Sequence, residues 1–268
     1  MEILGYIAAV LIGVSLGLIG AGGSILTIPV LVYLLGIAPV NATSYSLFIV
    51  GISAFIGGLR YLKNNLICIK TVIVFGIPSV LSIFLTRKYL LHRIPDHLFN
   101  IGSFEITKNA ALMLLLAILM VVASFTMIRK QKILRSDERS NNFEYRYFLI
   151  FQQGIIVGAL VGLVGAGGGF LIIPALVMLA KLPMKSAIGT SLAIVALNSS
   201  IGFLSDFGTH EFKWGFLLLF TSLAIVGIMI GSYLSKFISG TKLKPAFGWF
   251  ILVMGAYIIT KELFFTAA

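Results

Sequence analysis

The chain is short of almost everything that a water-facing surface needs. Only 11% of its 268 residues are charged, against about 25% in ordinary soluble domains. One cysteine, Cys68, excludes an internal disulfide and any cysteine-based metal or redox centre. Three histidines, His92, His97 and His210, are scattered without a nucleophile or acid/base partner at a recognisable spacing, so a membrane-embedded hydrolase or transferase lacks its machinery. Acidic residues number nine and form no pairs within apolar runs, which argues against a divalent-cation carrier. No Lys or Arg precedes the first apolar run and no small-x-small cleavage site follows it. That run is therefore read as mature protein and not as a signal peptide.

What is present is hydrophobic, at 59% of residues. Residues Gly5–Leu18, Thr43–Leu59, Thr71–Leu85, Ala110–Ile128, Phe148–Val164, Ile188–Leu204, Trp214–Leu234 and Phe247–Ile259 carry almost no charge. Several approach the roughly 20 apolar residues that a helix needs to cross a bilayer. No ~10-residue alternating segments of a transmembrane barrel occur. The expectation is an all-α polytopic transmembrane bundle of about eight spans. The net charge of +11 comes from bases lying between the spans, at Arg60 to Lys70, Arg87 to Lys108, Arg129 to Arg146 and Lys236 to Lys244. These are places for topogenic and lipid-headgroup contacts, and they give no reason to invoke nucleic acid. Threading eight spans leaves 11 bases on the side of the amino terminus and 9 on the other, which assigns no orientation.

The chain repeats itself. Gly20-Ala-Gly22-Gly23-Ser24, followed by Pro29 and Leu31, returns as Gly165-Ala-Gly167-Gly168-Gly169, followed by Pro174 and Leu176, at a constant offset of 145. The offset continues without a gap through Ala42/Ala187, Ser46/Ser191 and Leu47/Leu192 to Gly57/Gly202. Chance resemblance between apolar runs does not reproduce a glycine cluster and a proline at fixed spacing. Two homologous halves follow, residues 1–128 and 148–268, joined by a basic polar linker at 129–147. Because periodicity cannot separate the two, Ser24–Leu35 is either a re-entrant segment or half of a broken span. An even number of spans per half gives parallel halves and an odd number gives inverted ones.

The doubled glycine cluster is where chemistry is expected. Glycine costs a helix interior about 1 kcal/mol relative to alanine, so Gly20, Gly22 and Gly23, and again Gly165, Gly167, Gly168 and Gly169, are expected to open the helix, with Pro29 and Pro174 marking the restart. Opened backbone at membrane depth must be buried in protein or line a wet cavity. A restarting helix offers free N–H groups and its positive dipole end to an anion, and paired breaks in two repeats point to a transport site. Gly13-xxx-Gly17 and Gly158-xxx-Gly162 are read as helix-packing patterns. Neither cluster is a P-loop or a GxGxxG. Beyond each short helix stand hydroxyls, Ser44 and Ser46 in the first half and Thr190 and Ser191 in the second. They are read as helix caps or as neutral donors to an oxyanion. Asn198, the counterpart of Ser53, should face the bundle interior. Lys181, Lys185 and Asp206 are the charges nearest the motifs, as candidates for anion attraction or proton coupling.

These motifs resemble the sulfite exporter TauE/SafE (TSUP) family of membrane permeases. The glycine stretch with Pro-x-Leu stands at Gly20–Leu31 and Gly165–Leu176, and the family's Gly-Thr-Ser-Leu element at Gly189–Leu192; its first-half copy is altered to Ser44–Leu47, and Ser24 replaces the third consecutive glycine. The resemblance implies a multi-pass protein of the prokaryotic cytoplasmic membrane. It implies transport of sulfur-containing or carboxylated anions driven by a coupling ion, proton or sodium. No enzyme activity, cofactor or metal is expected. An anion channel of the same architecture is the alternative.

Overall fold

A computed structural model describes residues 2–95, 97–101, 104–128, 147–178, 180–208, 212–235 and 240–264; the linker at 129–146 lies outside the described residues. Ten helical segments follow in order. In the first half they are α1 (Glu2–Ile19), α2 (Ser24–Leu34), α3 (Pro39–Lys63), α4 (Ile69–Leu90) and α5 (Lys108–Ile128). In the second they are α6 (Tyr147–Val164), α7 (Gly169–Met178), α8 (Met184–Asp206), α9 (Trp214–Leu234) and α10 (Gly240–Phe264). Five of them, α3, α4, α5, α8 and α9, are long and apolar enough to cross a membrane by length and composition. A small antiparallel pair, β1 (His97–Ile101) with β2 (Phe104–Thr107), bridges α4 and α5. Large apolar side chains such as Leu11, Phe125 and Val253 point outward. An apolar exterior of this extent suits lipid and not water.

Small residues set the helix pairing. A methyl group on Gly13 would lie 2.9 Å from Gly227 Cα, and one on Gly17 2.5 Å from Ser232 N. The numbers rise together, so α1 and α9 run parallel with their backbones in contact. In the other copy, a methyl on Gly158 would lie 2.8 Å from Ser79 Cα and one on Gly162 2.8 Å from Thr86 Cβ, so α6 runs parallel to α4. The contacts of Gly13 with Ala224 and Gly17 with Ile228 return, displaced by 145, as those of Gly158 with Ser79 and Gly162 with Ile83. Opposite sense holds between α3 and α8, where Gly202 meets Leu47, Gly51 meets Ser199 and Gly189 meets Tyr61. It holds also between α5 and α10, where Gly248 meets Ile128 and Gly255 meets Ala117. Each half thus lends a helix to the other, and α3 and α8 cross at the centre.

The re-entrant alternative is the one observed. A methyl on Gly5, near the start of α1, would lie 2.6 Å from the Leu35 side chain, just past the end of α2. A continuous broken span would hold these residues about 45 Å apart, at 1.5 Å per residue. So α1 and α2 form a hairpin that returns to its starting face, and three long helices then follow. Three crossings are odd, which makes the halves inverted. The parallel α1–α9 and α4–α6 pairs require the same result, because halves of like orientation would set them antiparallel.

Candidate functional site

The two glycine breaks meet at the centre but are built differently. In the first, Gly20–Leu26 winds as a tight 3₁₀ segment that runs directly into the half-helix. The expected opening is confined there to Gly20, at φ +76°, because i→i+3 turns keep the backbone bonded through the rest of the segment, as in Thr27 N to Ser24 O. The second break does open. Gly165, Gly167 and Gly168 sit at φ +74°, +67° and +75°, a left-handed region that side chains resist. The hydrogen-bond ladder of α7 begins with Leu171 N and Ile172 N to Gly168 O, at 2.9 and 3.0 Å. The amides of Gly167, Gly168 and Gly169 therefore precede the ladder, at the positive end of the half-helix.

Each break also rests on the opposite half. A methyl on Gly20 would lie 2.7 Å from Ile188 Cγ2, and one on Gly165 2.8 Å from Thr43 Cα. Residues 43 and 188 are themselves 145 apart, so the contacts are symmetry-equivalent. Gly167 lies against Val50 and Ser199, where its methyl would be 2.8 Å from Val50 Cγ1 and 3.1 Å from Ser199 Oγ. The second break thus runs from Thr43 to the centre of the α3–α8 crossing.

Buried polar side chains stand on α3 and α8, the two helices that meet there. Asn198 is fully buried and donates from Nδ2 to Ser79 Oγ at 2.8 Å, leaving its Oδ1 without a partner. Ser53, Ser199 and Ser46 are also fully buried with unpartnered hydroxyls. A buried hydroxyl or amide without a partner costs about 1–3 kcal/mol. Four such groups on α3 and α8, the helices against which the second break packs, mark this region as built for something polar. Ser191 instead donates to Ile188 O at 2.8 Å, and Thr190 Oγ1 accepts from Cys68 N at 3.0 Å. None of these hydroxyls caps a helix, since α3 and α8 start earlier, at Pro39 and Met184, without side-chain caps.

At one end of this region stands Arg87, expected from the sequence to lie between spans. Arg87 is fully buried within α4, in a π turn at Thr86–Leu90, and is not an interspan charge. Helix α4 continues past Leu85 and carries Arg87 between the halves. Its Nε bonds both Asp206 oxygens at 2.9 and 3.0 Å, and its Nη2 closes an ion pair with Oδ2. Nη2 also donates to Thr43 Oγ1 and Ser44 Oγ, at 3.0 and 3.2 Å. Nη1 donates to Gly162 O at 3.1 Å, at the end of α6 just before the break. Ser44 Oγ donates to Asp206 Oδ2. Asp206, 2% exposed, is the last residue of α8 and not a loop charge. Lys181 and Lys185 are exposed and flank the end of α7, at the face opposite this pair. His210 and Glu211 lie outside the described residues.

Fold and site together define a multi-pass membrane protein with a doubled, inverted core and a buried polar region at its second glycine break. The family model described as "Sulfite exporter TauE/SafE" matches residues 5–258, and the chain belongs to this family of membrane permeases. It is 28% identical to a "Probable membrane transporter protein" of Xylella fastidiosa (strain Temecula1 / ATCC 700964), over 94% of this chain and 92% of that one. It is 30% identical to the "Probable membrane transporter protein YjnA" of Bacillus subtilis (strain 168), over 92% and 96%. To YunE of the same organism, similarly named, the identity is 25% over 97% and 100%. No solved structure gives a significant match. The chain is a transporter of the membrane, as its relatives are named.

Proposed function

We propose that the chain is a secondary transporter of a small anion, of the sulfur oxyanion, organosulfonate or small carboxylate class. The observation that carries this reading is Arg87, a cation buried between the halves where the opened break begins. A charge in such a place is expensive and marks a functional site by default. Guanidinium N–H groups, the leading amides of α7 and the unpartnered hydroxyls near Asn198 are all donors suited to an oxyanion. Two inverted halves crossing at α3 and α8 supply the rocking element that alternating access needs.

The inverted topology also revises the orientation. The sequence segments that join helix ends at one face carry fourteen of the twenty Lys and Arg: three in 60–70, six in 129–146, Lys181 and Lys185, and three in 236–244. Five fall at the other: Lys88, Arg93, Lys108, Lys213 and Lys261. By the positive-inside rule the first face is cytoplasmic. The Arg87–Asp206 pair then closes the external side.

The test is flux in proteoliposomes with labelled sulfite, thiosulfate, methanesulfonate, sulfoacetate and acetate. A carrier saturates and counter-exchanges at least one of them, and Gly167→Leu, which crowds the second break, abolishes that exchange in protein that still inserts. Exchange at the wild-type rate by that variant refutes the site. Non-saturating flux without counter-exchange refutes the carrier.

A further inference from the structure

The buried ion pair is present in only one of the two copies, and this difference carries an inference that rests on the transport reading above. The offset of 145 sets Arg87 opposite Ser232, Asp206 opposite Tyr61 and Ser44 opposite Gly189. The second copy builds the same helix crossing without a charge, with Gly17 seated on Ser232 and Gly189 on Tyr61 as Gly162 is seated on Thr86. Packing of the halves therefore does not require an Arg–Asp pair. A buried pair is in any case a poor source of stability, since desolvation consumes most of its attraction.

We infer that Arg87 is the ligand of the transported anion and that Asp206 occupies its place until a proton releases it, so that one proton travels with each monoanion. The Asp206 carboxylate already sits as a substrate would. It faces the Arg87 fork and accepts from Ser44 Oγ, while Thr43 and the Gly162 carbonyl hold the guanidinium in position. A sulfonate, sulfite or carboxylate presents the same paired oxygens to that fork. Charge then dictates the exchange. The pair is neutral as a whole, and an arriving anion would leave a net −1 in a low-dielectric interior where unpaired charge is severely disfavoured. The balanced step is Arg87⁺·Asp206⁻ + X⁻ + H⁺ → Arg87⁺·X⁻ + Asp206–COOH. No bond within X is made or broken, the proton comes from the aqueous phase, and it goes to a carboxylate oxygen. Ser44 Oγ, now donating to Oδ2, can accept the new O–H in return.

The surroundings supply no second buried charge among the described residues. Helix α3 offers Thr43, Ser44 and the Tyr45 phenol, which accepts from Lys213 N. Helix α6 offers the Gly162 carbonyl and has no charged side chain from 148 to 164. Lys88 beside Arg87 is exposed, and Lys185 is at the opposite end of α8. His210 and Glu211 stand four and five positions past Asp206, outside the described residues, and serve as comparison sites.

The experiment uses the full chain in proteoliposomes with a pH dye in the lumen, the membrane potential clamped and the same five anions as probes. Influx of a monoanion through the wild type acidifies the lumen by one proton per anion. Asp206→Asn lowers acid-driven uphill accumulation at least about tenfold and removes the pH dependence of what remains, because its neutral amide cannot release a proton. Arg87→Lys lowers apparent affinity by about tenfold or more, since an ammonium cannot fork. The uncharged double variant Arg87→Gln/Asp206→Asn retains its thermal midpoint and gel-filtration profile but does not exchange anion. Lys88→Gln behaves as the wild type, and His210→Gln and Glu211→Gln retain the one-to-one proton movement. Anion influx without lumenal acidification, loss of acidification in either of the last two variants, or wild-type exchange by the double variant overturns this inference and leaves the transporter reading standing. Absence of flux for all five anions in the wild type overturns both.

Discussion

Substitution of Gly20 by alanine tests the contact between the halves at one atom. Gly20 sits at φ +76°, where a side chain costs about 1–2 kcal/mol. The added methyl would also lie 2.7 Å from Ile188 Cγ2, about 1 Å inside ordinary carbon contact, for a further ~1–3 kcal/mol of overpacking. Gly20→Ala should therefore cost about 2–5 kcal/mol in total. Ile188 is 9% exposed, and Ile188→Ala alone should cost about 2–5 kcal/mol. Together the two changes should cost less than their sum by about 1–3 kcal/mol, because removing Cγ2 leaves the methyl facing Ile188 Cβ at 3.3 Å and Cα at 3.4 Å, near ordinary contact. The backbone strain remains in the double variant. The symmetric site behaves differently. At Gly165 the obstacles include Thr43 Cα and its carbonyl oxygen, 2.8 and 2.9 Å away. Trimming Thr43 to alanine cannot move these atoms and should not rescue Gly165→Ala. The assay is reversible unfolding by SDS in mixed micelles, followed by fluorescence of Trp214 and Trp249. Additivity of Gly20→Ala and Ile188→Ala within about 0.5 kcal/mol refutes the contact and the inverted packing that creates it.

Two further outcomes follow from the same geometry. In a Cys68→Ser background, Asn64→Cys should react with a membrane-impermeant maleimide only in inside-out vesicles, and Lys213→Cys only in intact cells; equal labelling of both from one side refutes the inverted arrangement. Asn198→Leu should weaken apparent anion affinity about tenfold, the worth of one lost polar contact of about 1.4 kcal/mol, while the thermal midpoint moves by only a few degrees; a large stability loss with unchanged affinity would make Asn198 structural.

The duplication was legible because glycine and proline resist replacement by other apolar residues at fixed spacing, and the offset of 145 relates the helix contacts as well as the motifs. The apolar runs gave the all-α membrane class for an equally direct reason. Re-entry of α2 was not legible, since a dozen apolar residues have the same periodicity whether they turn back or go on; that single ambiguity controls the parity of the halves and hence the orientation. Nor did the two glycine clusters disclose that one winds as 3₁₀ and the other opens. Arg87 was missed for a different reason. Thr86-Arg87-Lys88 reads as the basic end of a span, and only the π turn carries the helix onward. A signal did exist: extended past Gly57/Gly202, the offset sets Arg87 opposite Ser232, inside the apolar run Trp214–Leu234. The same extension sets Asp206 opposite Tyr61, within α3.

The parallel pairing of α1 with α9 has a consequence for how the chain is made. Helix α1 leaves the ribosome long before α9, and the groove that receives Gly13 and Gly17 is not synthesised until some two hundred residues later. At ordinary elongation rates that interval is roughly ten to forty seconds. Throughout it the glycine face of α1 has only lipid, the translocon or an insertion chaperone to lean on. Docking of α1 is therefore a late event in biosynthesis, and a nascent chain arrested before Trp214 should hold α3 against α8 and α4 against α6 while the glycine face of α1 stays uncovered, exposed to quality-control proteases.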